Sequence, residues 1–464
     1  MKNLKFILLL SIASLARTQE LNESDGEISI NEDKECHSLP FYPCCASCDV
    51  VRETDEGEWG IENDEWCGIK ESCNTVNVEI ESEEDSEYSV DEDVRVVDNG
   101  VIYPDDPYIY YVGRWDKENV SQWAGSGFKL DFTGSSFTFV SGERSKSIVP
   151  VAYSIDYQTL QYRNITIGEN LLVNDLEDID HNIQFYVTDT DSGFLQMESL
   201  HIDNGSKIHK YEPLDKYIQI VGDSLTAGQY LPNEQADSWS FLFGKYMNAE
   251  TDIIAKPGIC LSDIPLYGMD HGMEVSYFLN SNPLARSWGY ISDEAHDFSE
   301  RKAPDLMIIF LGTNDAGNDA KVVAEDYYET LKKFLTRVRE IYPETPLAIT
   351  SLLYDPGNWN EIQSNIVNEF DNIYYIYIND PVINSSPNIY LTNYHLTQKG
   401  SCALMKTMVE KVSQQIGFEK QEKPTNKWGM HGNLATGYEI CDNPIGEELV
   451  YHYAWENAGG IGAW

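Results

Sequence analysis

The chain is short of positive charge. Its 464 residues hold 32 lysines and arginines against 77 aspartates and glutamates, a formal net charge of −45 at pH 7. Nucleic acids and anionic membrane surfaces need a basic face, so neither is an expected partner. About half of the acidic excess lies between Glu20 and Asp98, where it marks a solvated, self-repelling segment more than a property of the whole fold. The chain also lacks any run approaching the roughly 20 apolar residues a transmembrane helix needs. Its N-terminal apolar stretch, Phe6 to Ile12, is short. Lys2 and Lys5 precede it, and the small residues Ala13, Ser14 and Ala16 follow. That pattern predicts a signal peptide over 1–18 and a soluble, secreted mature protein.

Export permits disulfides. Of nine cysteines, six crowd into the segment Cys36, Cys44, Cys45, Cys48, Cys67 and Cys73, and Cys260, Cys402 and Cys441 are scattered. An odd total leaves at least one thiol unpaired or paired outside the chain. Asn-x-Ser/Thr sequons at Asn22, Asn119, Asn164, Asn204 and Asn384 suit a secreted eukaryotic protein.

Composition divides the chain beyond the signal peptide into regions. Residues 36–73 are cysteine-dense and too few to bury a core without their bridges. Residues 74–100 are almost devoid of basic side chains and read as an extended acidic linker. From 101 to 215, short alternating runs such as Phe128 to Phe132, Ser136 to Val140, Val149 to Tyr157 and Gln184 to Thr188 are punctuated by Gly, Asn, Asp and Ser, which predicts a β-sandwich. After Lys216 the pattern becomes strand–helix alternation. Y-I-Q-I-V-G and D-L-M-I-I-F-L-G are buried strands. Val322 to Ile341 has helical period and stops at Tyr342-Pro343, and Leu396 to Ile416 reads as a closing helix. Alternation of this kind implies a parallel sheet covered on both faces, over 216–418. The Gly- and aromatic-rich segment 419–464 has no assigned role. Packing against the preceding domain is its ordinary reading and sugar contact the sharper one.

V-G-D-S-L sets Ser224 directly after a buried strand and at the start of a helix, where open α/β sheets bind ligands and where backbone N–H groups face developing negative charge. Taken alone, Asp223 and Ser224 read equally well as helix-capping residues. Two further positions tip the balance. G-T-N-D follows the strand that ends at Leu311, so Asn314 can offer a side-chain N–H to an oxyanion. Gly258, after D-I-I-A-K-P, can offer a backbone N–H with no side chain in the way. With the Ser224 amide these make three oxyanion donors, each worth about 3 kcal/mol when one is removed. A nucleophilic serine also needs a base. His395, in N-Y-H-L-T-Q-K-G, falls just ahead of the last helix at the same sheet edge. A lone loop histidine is ordinarily just solvated, and Asn314 alone serves a turn equally well. Their matching strand-end contexts favour catalysis.

These residues resemble the SGNH (GDSL) hydrolases over about 217–417, through G-D-S-L at Ser224, Gly258, G-T-N-D at Asn314 and H-x-x-x-x-G at His395. The resemblance implies a three-layer α/β fold with a parallel sheet and acyl-serine catalysis without a metal or cofactor. Ser224 would be the nucleophile and His395 the base, and Ser224, Gly258 and Asn314 would form the oxyanion hole. One family feature is missing. The family places an aspartate three residues before the histidine, and here Thr392 stands there. Thr392, Asn393 or a backbone carbonyl are left to orient His395, whereas Asp380 is not supported by spacing. A β-domain ahead of such a hydrolase, with the stretch Y-V-G-R-W-D through F-K-L-D-F-T-G-S-S-F-T-F, resembles the jelly roll of carbohydrate esterase family 2, in which some members use a Ser–His dyad. That implies removal of O-acetyl groups from plant cell-wall polysaccharide, xylan or glucomannan. Trp288, in the loop before the Asn314 strand, reads as a sugar platform or as packing. The missing aspartate also keeps open a non-catalytic carbohydrate-binding protein, and the fold keeps open an esterase or lipase on longer acyl chains.

The cysteine-rich segment, C-H-S-L-P-F-Y-P-C-C-A-S-C-D-V-V through W-G-I-E-N-D-E-W-C-G-I, resembles the dockerins of anaerobic fungi, which are related to carbohydrate-binding module family 10. The resemblance implies docking onto a cellulosome scaffold, with Tyr42, Asp55 and Trp59 as contact residues. Core packing is the bland role for Trp59 and Trp66, and in so small a domain one of them is expected to pack. Zinc binding by the cysteines is the weaker alternative to disulfides. The expected architecture is thus multidomain: a small disulfide-rich dockerin, an all-β jelly roll and an α/β hydrolase.

Overall fold

The computed structural model describes residues 36, 38, 42–47, 50–54, 57–62 and 65–70, then 93–422 except 192, 291–293, 379–382 and 384–394, and residue 441. The segment expected to be a signal peptide, most of the expected acidic linker and most of the segment after 422 fall outside these residues. Two compact units divide the chain, Met1–Tyr88 and Ser89–Trp464.

The first unit is a three-stranded antiparallel sheet of Arg52–Thr54, Gly57–Glu62 and Glu65–Gly68. Its buried cluster is Cys45, Cys67 and Ile69. Disulfides Cys36–Cys44 and Cys45–Cys67 close it, so these four sulfurs cannot serve as thiolate ligands to zinc. The register explains why neither tryptophan joins that cluster. Trp59 and Ile61 share a face by the two-residue period, and Ile61 pairs directly with Trp66. Cys67 pairs with Gly60 on the opposite, inward face. Trp66 is 39% exposed, and Trp59 is half-buried, with Tyr42 meeting it edge-on at 5.3 Å. The expectation that one tryptophan packs into the core is therefore corrected.

The second unit begins with the β-sandwich. One sheet runs Gln161–Ile165, Val149–Ile155, Asp180–Val187, Gly127–Thr133, Ser206–His209 and Val94–Val97, with Tyr110–Val112 also pairing with Gly127–Thr133. The other runs Gly168–Val173, Phe137–Ser141, Leu195–His201 and Val101–Ile102. All these pairings are antiparallel. Inward positions of facing strands fill the space between the sheets, and Phe139 and Phe185 stack with centroids 4.9 Å apart.

The α/β part carries five parallel strands: β1 (Tyr217–Gly222), β2 (Glu250–Ala255), β3 (Leu306–Phe310), β4 (Leu347–Thr350) and β5 (Ile373–Ile376). Their spatial order is 2-1-3-4-5, so the chain reverses direction between β1 and β3, the place where such sheets bind ligands. Helices α1 (Ser224–Ala227), α2 (Trp239–Met247), α3 (Ala324–Ile341), α4 (Trp359–Ile366) and α5 (Gln398–Ile416) join and cover the strands. Two apolar clusters show the layering. One sets α2 and α5 against the sheet, and the other sets α3 and α4 against it. Cys402 on α5 is bridged to Cys441, and Cys260 is the free cysteine among the described residues, buried beyond the end of β2.

The edge of this sheet at β2 does not face solvent. The sandwich covers it through charge. Lys129 Nζ lies 2.5 Å from Glu250 Oε2, both buried, and Tyr211 Oη and the Leu214 amide donate to the other carboxylate oxygen at 3.1 Å. Burial alone would push the Glu250 carboxyl up, but the attraction of Lys129 holds it below its ordinary value. Two residues along β2, Asp252 accepts from the Gly113 amide at 2.7 Å, from Tyr217 Oη at 2.7 Å and from Arg301 at 2.9 and 3.1 Å. Removing one member of a buried pair leaves the other charge uncompensated. Lys129→Met is expected to lower stability by about 3–5 kcal/mol in urea unfolding, and adding Glu250→Gln is expected to recover much of that loss.

Candidate active site

β1 ends at Gly222, where a Cβ would lie 2.1 Å from Thr226 Oγ1, so glycine is needed for the tight return of the chain. Asp223 then caps α1 by accepting from the Leu225 amide at 3.0 Å, and Ser224 opens the helix. Ser224 is thus not the cap. It stands one residue further on, with its hydroxyl free to reach out of the helix. Ser224 Oγ lies 2.8 Å from His395 Nε2, although 171 residues separate the two in sequence.

His395 is held from its C-terminal side. Thr397 caps α5 by accepting from the Gly400 amide at 3.1 Å. Gln398 and Ser401 donate to Asp237 at 2.9 and 2.7 Å, which ties the start of α5 to the segment after α1. Tyr230 meets the imidazole edge-on, with ring centroids 4.9 Å apart. Thr392 and Asn393, the candidates for orienting His395, lie outside the described residues, as does Asp380.

Gly258 and Asn314 come together at the ends of β2 and β3. Asn314 Nδ2 donates one hydrogen to Ile259 O at 2.8 Å, which fixes the amide beside the glycine. Gly258 has φ of +79°, in the left-handed region, and a Cβ there would lie 2.7 Å from the Tyr267 ring. Either reason alone selects glycine. Tyr267 in turn donates to Asp319 at 2.7 Å, so the ring that covers Gly258 is tied to the loop that carries Asn314.

Asp315 has a role that the sequence patterns do not assign. Fully buried, it accepts from the Leu261 amide at 2.7 Å and the Ser262 amide at 2.9 Å, one per oxygen. It therefore clamps the Gly258 loop onto the Asn314 loop. Its place directly after Asn314 in G-T-N-D is the one local signal that points to it. Burial raises the Asp315 carboxyl, against the pull of these donors, and burial likewise raises Asp223 to about 7.

Trp288 is not brought to this cluster. It is half-exposed, Lys146 of the sandwich sits over its ring, and Phe194 packs beside it. Among the described residues no contact links it to Ser224 or His395. In the first unit, Tyr42 and Trp59 meet edge-on, and Asp55 lies outside the described residues.

The arrangement is that of a serine hydroxyl beside an imidazole, with a backbone amide and a carboxamide close by at a sheet switch point. Comparison with known proteins agrees with this. Residues 220–401 match the GDSL-like lipase/acylhydrolase family. Residues 35–69 match a cellulose- or protein-binding domain. The fold is similar to that of a family two carbohydrate esterase from Clostridium thermocellum, at 19% identity and a TM-score of 0.56, covering 68% of this chain and 100% of that one. The N-terminal domain is similar to part of endoglucanase B of Neocallimastix patriciarum, 46% identical over 43 residues, 9% of each chain. It is also similar to part of a bifunctional acetylxylan esterase/xylanase of that organism, 61% identical over 28 residues, 6% of this chain and 4% of that one. The chain thus spans less than a tenth of the length of these relatives.

Asp315→Asn keeps one acceptor but turns an NH2 group toward the Leu261 or Ser262 amide. The expected result is a fall in kcat on a small acetate ester of about 10- to 100-fold from misplaced donors, with little change in KM. Steady-state kinetics beside circular dichroism of the variant checks this.

Proposed function

We propose that this protein is a secreted serine esterase that removes O-acetyl groups from plant cell-wall polysaccharide, xylan or glucomannan, and that its N-terminal unit docks it onto a cellulosome scaffold. The observation that carries the catalytic reading is the 2.8 Å separation of Ser224 Oγ and His395 Nε2 at the switch point of the sheet. In the first step Ser224 Oγ attacks the ester carbonyl carbon while its proton passes to His395 Nε2. The carbonyl oxygen takes the negative charge and is met by the Ser224 and Gly258 amides and Asn314 Nδ2. The C–O bond to the sugar then breaks, and the sugar oxygen leaves with the proton held by His395. In the second step His395 takes a proton from water as its oxygen bonds to the acetyl carbon, the bond from that carbon to Ser224 Oγ breaks, and Oγ recovers the proton from His395 as acetate leaves.

Burial keeps the neighbouring carboxyl of Asp223 protonated well above the ordinary carboxylate range, up to about 7, so it opposes the oxyanion less than an ionised group would. Support for a carbohydrate ester comes from the likeness of fold to the family two esterase, and support for docking and an extracellular setting comes from the N-terminal matches and the disulfides.

Acetate release from acetylated xylan and from acetylated glucomannan tests the reading, with 4-nitrophenyl acetate and its butyrate homologue for comparison. Ser224→Ala is expected to lose at least about 10³-fold in kcat. Acetate release at wild-type rate by that variant would sink the mechanism, and faster turnover of butyrate than acetate would favour a long-acyl esterase. For docking, the face that carries exposed Ile61 and Trp66 and half-buried Trp59 offers the aromatic and aliphatic anchors typical of interface hot spots. Trp59→Ala is expected to weaken binding to a scaffold protein by at least about 30-fold, measured by calorimetry.

A further inference from the structure

The sandwich does more than cover the edge of the catalytic sheet. Its turn 188–191 reaches the rim of the catalytic cluster and is fastened there from several sides. Lys256, buried at the end of β2 and two residues ahead of Gly258, donates to the carbonyls of Thr190 and Asp191 at 2.8 and 2.7 Å. The Thr190 amide donates to Glu234 Oε2 at 2.6 Å, and the Gln235 amide donates to Thr188 O at 3.3 Å. Within the turn, the Asp191 amide donates to Asp189 Oδ1 at 2.9 Å. The backbone is thus spoken for, while the Asp191 side chain is exposed and none of the hydrogen bonds among the described residues ends on its carboxylate.

Tyr230 lies between this turn and the catalytic histidine. Its ring is half-exposed, its backbone has φ of +69°, and its edge-on partner is His395. Its hydroxyl feels the charge of Asp191, which adds to burial in raising it. The turn that carries Asp191 thus reaches the end of β2 two residues from Gly258, and Tyr230 meets His395, the partner of Ser224.

We infer that Asp191, supplied by the sandwich, is a specificity-determining residue of the esterase, accepting hydrogen bonds from hydroxyls of the sugar that carries the scissile acetyl group. The inference rests on the carbohydrate-ester reading above. A carboxylate accepts from two sugar hydroxyls at once, and charge-assisted bonds of that kind are the strong ones. The Lys256 and Glu234 anchors hold the turn in place before substrate arrives, so little ordering is needed on binding. A small acetate ester with an aryl leaving group has no hydroxyls to offer and gains nothing from this group.

The test compares acetylated xylo-oligosaccharides with 4-nitrophenyl acetate for the wild type, Asp191→Asn, Asp191→Ala and Asp191→Glu. The expected result for the Asn and Ala variants is a fall of about tenfold in the ratio of kcat/KM between oligosaccharide and aryl ester, carried by KM, with part of it regained in Asp191→Glu. An unchanged ratio, or an equal loss on both substrates, overturns the assignment and leaves the esterase reading standing. A wild type that cleaves the aryl ester but releases no acetate from the oligosaccharide overturns both.

Discussion

The buried ion pair between Lys129 and Glu250 is the constraint on which the larger unit depends. An edge strand with open N–H and C=O groups invites pairing with another chain. Here β2 carries two carboxylates toward its neighbour, and the sandwich meets both with partners of its own: Lys129 and Tyr211 at Glu250, and the Gly113 amide at Asp252. Such pairs contribute little net stability once desolvation is counted, but a misplaced one is severely destabilising. The contact therefore fixes where the sandwich sits on the sheet more than how tightly it holds. That fixed placement is what brings residues 188–191 to the end of β2.

The cluster of Ser224, Gly258, Asn314 and His395 follows a similar logic at shorter range. Its groups come from four separate points of the chain, and none is held by its own segment alone. Asp315 binds the Gly258 loop, Asn314 reaches Ile259, and Asp237 receives the start of α5. Donors for an oxyanion are useful only if they are in place before charge develops. The clamps among the loops supply that order, with Asp315 binding one amide of the Gly258 loop through each of its oxygens.

Much of this is legible in the sequence because it is written locally. Strand–helix alternation, the glycine after β2, and the serine and asparagine just past their strands are patterns of a few residues each, and their shared position at strand ends marks one sheet edge. The rest depends on which distant groups meet. Lys129 reads as an ordinary strand-surface lysine until Glu250 is opposite it, and Lys256 reads as a loop lysine until the sandwich turn lies over it. Trp66 looks like core material because tryptophan usually is, but its register opposite Ile61 turns it outward. Trp288 looks like a platform because it is aromatic and near the site in sequence, but Lys146 occupies its face.

Among its described residues the small N-terminal unit has an apolar cluster of three buried side chains, two of which carry the sulfurs of one bridge, Cys45–Cys67. Covalent cross-link and apolar interior are there the same atoms. The larger unit keeps its shape through extensive apolar clusters, to which Cys402 and Cys441 add a single tie. The two parts of one polypeptide thus answer to different chemical threats. A mild reductant attacks what holds the first together and leaves nearly all of what holds the second, so the surroundings that keep the N-terminal unit folded are a narrower set than those the hydrolase itself tolerates.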